Sequence, residues 1–151
     1  MKILFVCHGN ICRSPMAEFV MRDMINKEKL NIFVASAATS LEEIGNGVHY
    51  GTCAKLFEHG ISTEGKYAVR MTKQDYDKYD YIIGMDSMNI RNILRITGGD
   101  PQGKVHTLLS FAGSAADIAD PWYTGDFDKT YDDVARGCSA LLAHIKERHG
   151  L

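Results

Sequence analysis

Hydrophobic positions along the chain alternate between short unbroken runs and longer stretches of helical spacing. The run Ile3-Leu4-Phe5-Val6, followed closely by Gly9-Asn10, predicts a buried strand over residues 2–6. Next, Ala17, Val20, Met21, Met24 and Ile25 recur at helical intervals, predicting an amphipathic helix to about residue 27. Ser14 is placed to be its N-cap and Pro15 to occupy its first position, where a missing N–H costs nothing. The alternation continues with strands over residues 31–35, 79–85 and 104–109. Helices are predicted over 48–59, ending at Gly60, over 87–96, closed by Gly98-Gly99, and over 130–148. On the last helix Tyr131, Val134, Cys138, Leu141 and Ile145 form one apolar stripe.

Strands alternating with helices imply an α/β fold, a parallel sheet covered on both faces by right-handed crossovers, with ligands bound at the carboxyl ends of the strands. That rule directs attention to residues 7–14, the loop after the first strand. No internal repeat, low-complexity segment or linker-like stretch interrupts the pattern, so residues 1–151 are expected to form a single domain.

Composition narrows the function. With 45% hydrophobic and 24% charged residues the chain is an ordinary globular one, and a net charge of −2 offers no basic excess for a nucleic acid partner. The first apolar run is too short for a signal peptide or a membrane span, so a cytoplasmic protein with no membrane association is expected. Without an export signal, Cys7, Cys12, Cys53 and Cys138 read as free thiols. No Cys-x-x-Cys element is present to pair with the histidines, and no metal is expected.

The chemistry concentrates in Cys7-His8-Gly9-Asn10-Ile11-Cys12-Arg13-Ser14, a Cys-x5-Arg-Ser pattern. A loop that wraps an anion points successive N–H groups inward, which calls for positive φ at some residues, and Gly9 and Asn10 are types that tolerate it. The following helix adds its positive end, and Arg13 supplies a planar fork for two phosphate oxygens. The same field favours a thiolate at Cys7, and the Ser14 hydroxyl is placed to donate to the sulfur, making Cys7 an activated nucleophile. A lone cysteine ending a strand is commonly inert; Arg13 six residues on, at a helix mouth, is what argues otherwise here. Cys12 reads either as a small loop residue or as the partner of a reversible Cys7–Cys12 disulfide that shields the nucleophile from overoxidation. A magnesium-dependent phosphate loop is excluded because no Gly-Lys-Ser/Thr follows.

Displacement at phosphorus needs an acid for the leaving oxygen and then a base for water. Asp120 is the leading candidate, since Pro121 stiffens its loop and Trp122 and Tyr123 stand beside it; the alternative is that Asp120-Pro121 is only a turn. Asp117, Asp126 and Asp128 are nearby rivals, and the two aromatics also fit a plain packing role.

Together these residues resemble the low-molecular-weight protein tyrosine phosphatase family. The likeness is densest in Val6-Cys-His-Gly-Asn-Ile-Cys-Arg-Ser-Pro-Met-Ala-Glu18 and extends to Ser36-Ala37-Ala38-Thr39-Ser40, His59-Gly60-Ile61, the segment from Asp80 to Asp86, and Asp120-Pro121-Trp122-Tyr123. The resemblance implies a four-stranded parallel sheet of order 2-1-3-4 between helical layers, with the phosphate loop between strand 1 and helix 1. It implies Cys7 as nucleophile, Arg13 as phosphate ligand and Asp120 as general acid then base. His8, Gly9, Asn10, Ile11, Cys12, Arg13 and Ser14 would surround the phosphate, with Asn10, Ser14 and Ser36 holding the loop in shape. Trp122 and Tyr123 would wall the pocket. The substrate would be a tyrosine-phosphorylated protein or peptide, the product inorganic phosphate, with no cofactor.

The chain departs from the family in two places. Leu41-Glu42-Glu43 stands where a Trp or Tyr wall residue is usual, leaving Leu41 as the wall on that side and placing acid where acidic phosphopeptides would approach. A supporting histidine is also missing near Lys66-Tyr67. Rival readings are a thioredoxin-coupled arsenate reductase, which needs further cysteines in relay, and a protein arginine phosphatase, which typically has Thr where this chain has Ile11. A non-catalytic phosphotyrosine-binding module would be expected to lack the cysteine or the acid.

Overall fold

The structure, a computed structural model, describes residues 1–151. Strand β1 (Lys2–Cys7) lies inside the sheet, with β2 (Phe33–Ala38) on one side and β3 (Tyr81–Gly84) on the other; β4 (Val105–Thr107) completes the parallel order β2-β1-β3-β4. Its unbroken apolar run follows from that position, because a strand covered on both faces has no solvent side to mark. Ile3, Phe5 and Cys7 point into one core with helices α1 (Arg13–Lys27) and α6 (Phe127–His149). Leu4 and Val6 point into the other, with Met71, Tyr76, Tyr79 and Ile93. The sheet is thus the middle of three layers.

Helices α2 (Tyr50–Phe57) and α4 (Ser87–Thr97) complete the longer elements. Of the predicted α6 stripe, Val134, Cys138, Leu141 and Ile145 are fully buried and Tyr131 is half-buried against the same core. At Gly137 the α6 backbone lies so close to Leu108 that a Cβ would sit 2.5 Å from its Cγ, and glycine permits that approach.

Several local expectations are corrected. Helix α1 begins at Arg13 with Cys12 at the cap, not at Pro15 with Ser14 as cap, because the Ser14 hydroxyl is used inside the phosphate loop. Strand β2 runs on through Ser36, Ala37 and Ala38, small residues that give no apolar signal yet pair with β1 as far as Cys7. The fourth strand stops at Thr107 and Leu108–Ala112 turns into a 3-10 helix. Two single-turn helices, α3 (Asp75–Lys78) and α5 (Pro121–Thr124), carry no periodic signal. No helix is long and apolar enough to cross a membrane.

Candidate active site

Register sets the position of Cys7. Its pairing with β2 reaches Ala38, whereas the pairing with β3 ends one residue earlier at Val6 and Gly84, so Cys7 emerges at the carboxyl edge of the sheet. Its Sγ lies 3.0 Å from Ser14 Oγ and accepts the Asn10 N–H at 3.3 Å. Of the two candidates for positive φ, only Asn10 adopts it, at 60°. Gly9 serves closeness instead: a Cβ there would meet Glu43 Cγ at 3.3 Å. Helix α1 opens behind this loop with no side chain capping its first turn, so its free N–H groups remain available to an anion.

Beneath the loop lies a buried polar chain. Asn10 Nδ2 donates to Ser14 Oγ at 2.7 Å and to Ser36 Oγ at 2.9 Å, while Asn10 Oδ1 accepts from Val69 N at 3.1 Å. Ser36 Oγ in turn donates to Glu18, a carboxylate only 5% exposed that also pairs with Arg22 and, at 3.4 Å, with Lys66 Nζ. Lys66 Nζ further donates to Ser36 O at 3.0 Å. The support expected from a histidine near Lys66 is therefore supplied by the lysine itself. Glu18 and Lys66 were not foreseen, although a carboxylate beside Ala17 on the apolar face of a helix is a signal that it has buried partners. Glu18→Ala should leave Lys66 unpaired and Ser36 without its acceptor. It is expected to destabilise the fold by about 3 kcal/mol in chemical denaturation, the lower end for a broken buried pair; an unchanged midpoint would contradict this account.

Arg13 is 3% exposed. Its Nη1 donates to Asp86 Oδ2 at 2.7 Å and to Ile118 O at 2.8 Å, and Nη2 stands 3.5 Å from Asp120 Oδ2. With Nη1 taken, Nε and Nη2 form the edge left for a phosphate. Burial by itself would lower the pKa of Arg13, but the charge on Cys7, the Asp86 hydrogen bond and the charge on Asp120 outweigh it and the net direction is upward. Asp86 is a third residue the motif reading missed; its place just past the carboxyl end of β3 is the available signal.

Asp120 sits in a turn and also faces the cleft. Its Oδ1 accepts from Trp122 N at 3.0 Å, capping α5 as a turn residue does, while Oδ2 faces Arg13. The rival acids are committed elsewhere: Asp117 to Ser87 N, Asp126 to Lys129 N at the start of α6, and Asp128 to Lys55. None of the three lines the cleft.

One cleft brings together Cys7, His8, Gly9, Ile11, Cys12 and Arg13 of the loop with Asp120, Trp122 and Tyr123, closed on the remaining side by Glu42 and Glu43. Asn10, Ser14 and Ser36 lie below it, fully or almost fully buried, so their side chains shape the loop and do not line the cleft. Leu41 does not line it either: its side chain is 70% exposed, and the two glutamates take the wall position expected of it. His49, also unforeseen, supports the opposite rim; its N–H donates to Ile11 O at 2.8 Å and its ring meets Trp122 edge-on at 5.5 Å.

All four cysteines are free. Burial, with the negative charges of Asp120 and Cys7, pushes the Cys12 thiol up to about 12, so it stays protonated at neutral pH beside Cys7. Cys138 is fully buried in the core and Cys53 hydrogen-bonds Thr63 and Val48 O; neither lines the cleft, so Cys12 is the one further thiol there beside Cys7.

The family model described as low molecular weight phosphotyrosine protein phosphatase matches residues 2–150. The low molecular weight protein-tyrosine-phosphatase YfkJ of Bacillus subtilis is 40% identical over 99% of this chain and 98% of its own length. The crystal structure of YfkJ superposes with a TM-score of 0.95, covering 98% of this chain and 96% of that one. A Drosophila arginine phosphatase structure, 30% identical, superposes at 0.90 over 97% of this chain and 98% of its own.

Proposed function

Since the chain belongs to the low molecular weight phosphotyrosine protein phosphatase family and is a protein tyrosine phosphatase, we propose that Cys7, Arg13 and Asp120 carry its chemistry through a phosphocysteine intermediate. The observation that carries this assignment is the Cys7 sulfur held between Ser14 Oγ and the Asn10 amide, in one cleft with Arg13 and Asp120. Loop amides, the open end of α1 and the free edge of Arg13 take the phosphate oxygens; Cys7 Sγ attacks phosphorus in line with the ester oxygen. Asp120 protonates the departing phenoxide, and its conjugate base then removes a proton from the water that cleaves the S–P bond, releasing inorganic phosphate. Ser14 donates to the sulfur as it regains charge. Asp86 and the Ile118 carbonyl fix the guanidinium without touching the substrate.

The proposed substrate is a tyrosine-phosphorylated protein or peptide, acted on in the cytoplasm by the chain as one catalytic domain. Ile11, Trp122 and Tyr123 give the mouth of the cleft an apolar and aromatic lining suited to a phenyl ring, which favours phosphotyrosine over phosphoarginine. Quenching a reaction with labelled phosphotyrosine peptide within one turnover, in acid, is expected to yield label on a cysteine-containing fragment spanning Cys7. Label on no cysteine, with full turnover, would overturn the mechanism.

Asp120→Asn tests the acid. With phenyl phosphate, a poor leaving group, kcat is expected to fall about 10²-fold, and with p-nitrophenyl phosphate by clearly less. Equal losses on both substrates would remove Asp120 from the proton-transfer step.

A further inference from the structure

Charge at the mouth of the cleft is of one sign. The only arginine lining it, Arg13, is buried and already faces Asp86 and Asp120, and no lysine lines it. The rim charges are Glu42 and Glu43, and both carboxylates are held in position. Glu42 Oε2 lies 3.0 Å from His8 Nε2, and Glu43 Oε2 accepts from Asn46 Nδ2 at 2.6 Å. Their segment is tied to the phosphate loop as well, because Ser40 N and Ser40 Oγ both donate to His8 O, at 3.1 and 2.9 Å. Across the cleft Trp122 and Tyr123 are 56% and 83% exposed, leaving aromatic faces open to a bound chain.

We infer that this cleft selects phosphotyrosine sites that carry lysine or arginine beside the phosphotyrosine. The inference rests on the phosphatase reading and names the substrate class for that same site. The loop amides and Arg13 take the phosphate dianion at the floor, so the rim meets the neighbouring residues of the peptide. A basic neighbour finds carboxylates on one wall and aromatic faces on the other, whereas an acidic neighbour meets like charge. Solvent-exposed pairs are each worth a small factor, so the two glutamates together are expected to give about a fivefold to tenfold preference. Screening should erode that preference at high salt.

The test compares kcat/KM for two phosphotyrosine peptides that differ only in Lys or Glu at the positions flanking the phosphotyrosine, with free phosphotyrosine as a third substrate. The wild-type protein should favour the Lys peptide about fivefold to tenfold at low salt and much less at high salt. The double variant Glu42→Lys, Glu43→Lys should reverse the order. The milder Glu42→Gln, Glu43→Gln pair should bring the two peptides level, and it keeps the comparison meaningful if the charge reversal does not fold. Equal rates on both peptides in the wild type, or an unaltered preference in the Gln pair, would overturn the selectivity while leaving the phosphatase intact. No release from free phosphotyrosine or either peptide would overturn the underlying reading instead.

Discussion

Cys7→Ser is expected to abolish phosphate release from phosphotyrosine while leaving the phosphate cradle able to bind. The serine oxygen would sit in nearly the same place, but at neutral pH it is a neutral hydroxyl and a weak nucleophile, and no imidazole base stands within hydrogen-bond range of this position to activate it. The loss should be about 10⁵-fold in kcat, the scale seen when the nucleophile is removed from a covalent catalyst. Binding should hold or improve. In the proposed mechanism the attacking sulfur carries negative charge beside the phosphate position, and removing it leaves the loop amides, the uncapped start of α1 and Arg13 in place. Calorimetric titration of Cys7→Ser with inorganic phosphate should therefore give an affinity at least equal to that of the wild type. Substantial turnover by this variant would defeat the nucleophile assignment.

Arg13→Lys should be nearly as severe, about 10³-fold in kcat/KM, for a different reason. In the proposed mechanism the guanidinium has two tasks at once: Nη1 is held by Asp86 and the Ile118 carbonyl, while Nε and Nη2 would take phosphate oxygens. An ammonium is one point charge with no fork, so it serves either the anchor or the substrate. Because transition-state oxygens carry the charge to be stabilised, the loss should fall on kcat as well as KM. The carboxylate of Asp86 would also keep a weaker partner, so a modest fall in melting temperature is expected alongside. Near-wild-type kinetics in Arg13→Lys would rule out the two-oxygen clamp.

Much of this was legible in the chain because it depends on near neighbours. The run from Ile3 to Val6 reads as a buried strand from its own side chains, and Cys7, Asn10 and Arg13 declare an anion loop because their spacing fits one turn of backbone entering one helix. Ser14 shows where such reading fails. Its residue type fits an N-cap, but the hydroxyl is claimed by Asn10 and Cys7, and helix α1 starts without it. Leu41 fails for another reason: an apolar residue at a wall position was expected to turn inward, yet Glu42 and Glu43 are the side chains held at the cleft by His8 and Asn46.

By itself, then, the amino-acid order determined the α/β alternation, the place of the phosphate loop, and Cys7, Arg13 and Asp120 as the residues to test. It could do so because backbone periodicity and loop chemistry are set within a few residues. The tertiary structure decided which groups complete the site: Asp86 behind Arg13, Glu18 and Lys66 beneath Asn10 and Ser36, and two glutamates in place of an aromatic wall. These partners come from separate strands, helices and loops. Only the register of β1 against β2 and β3 carries their segments to one edge of the sheet, where burial makes each charge depend on its neighbour.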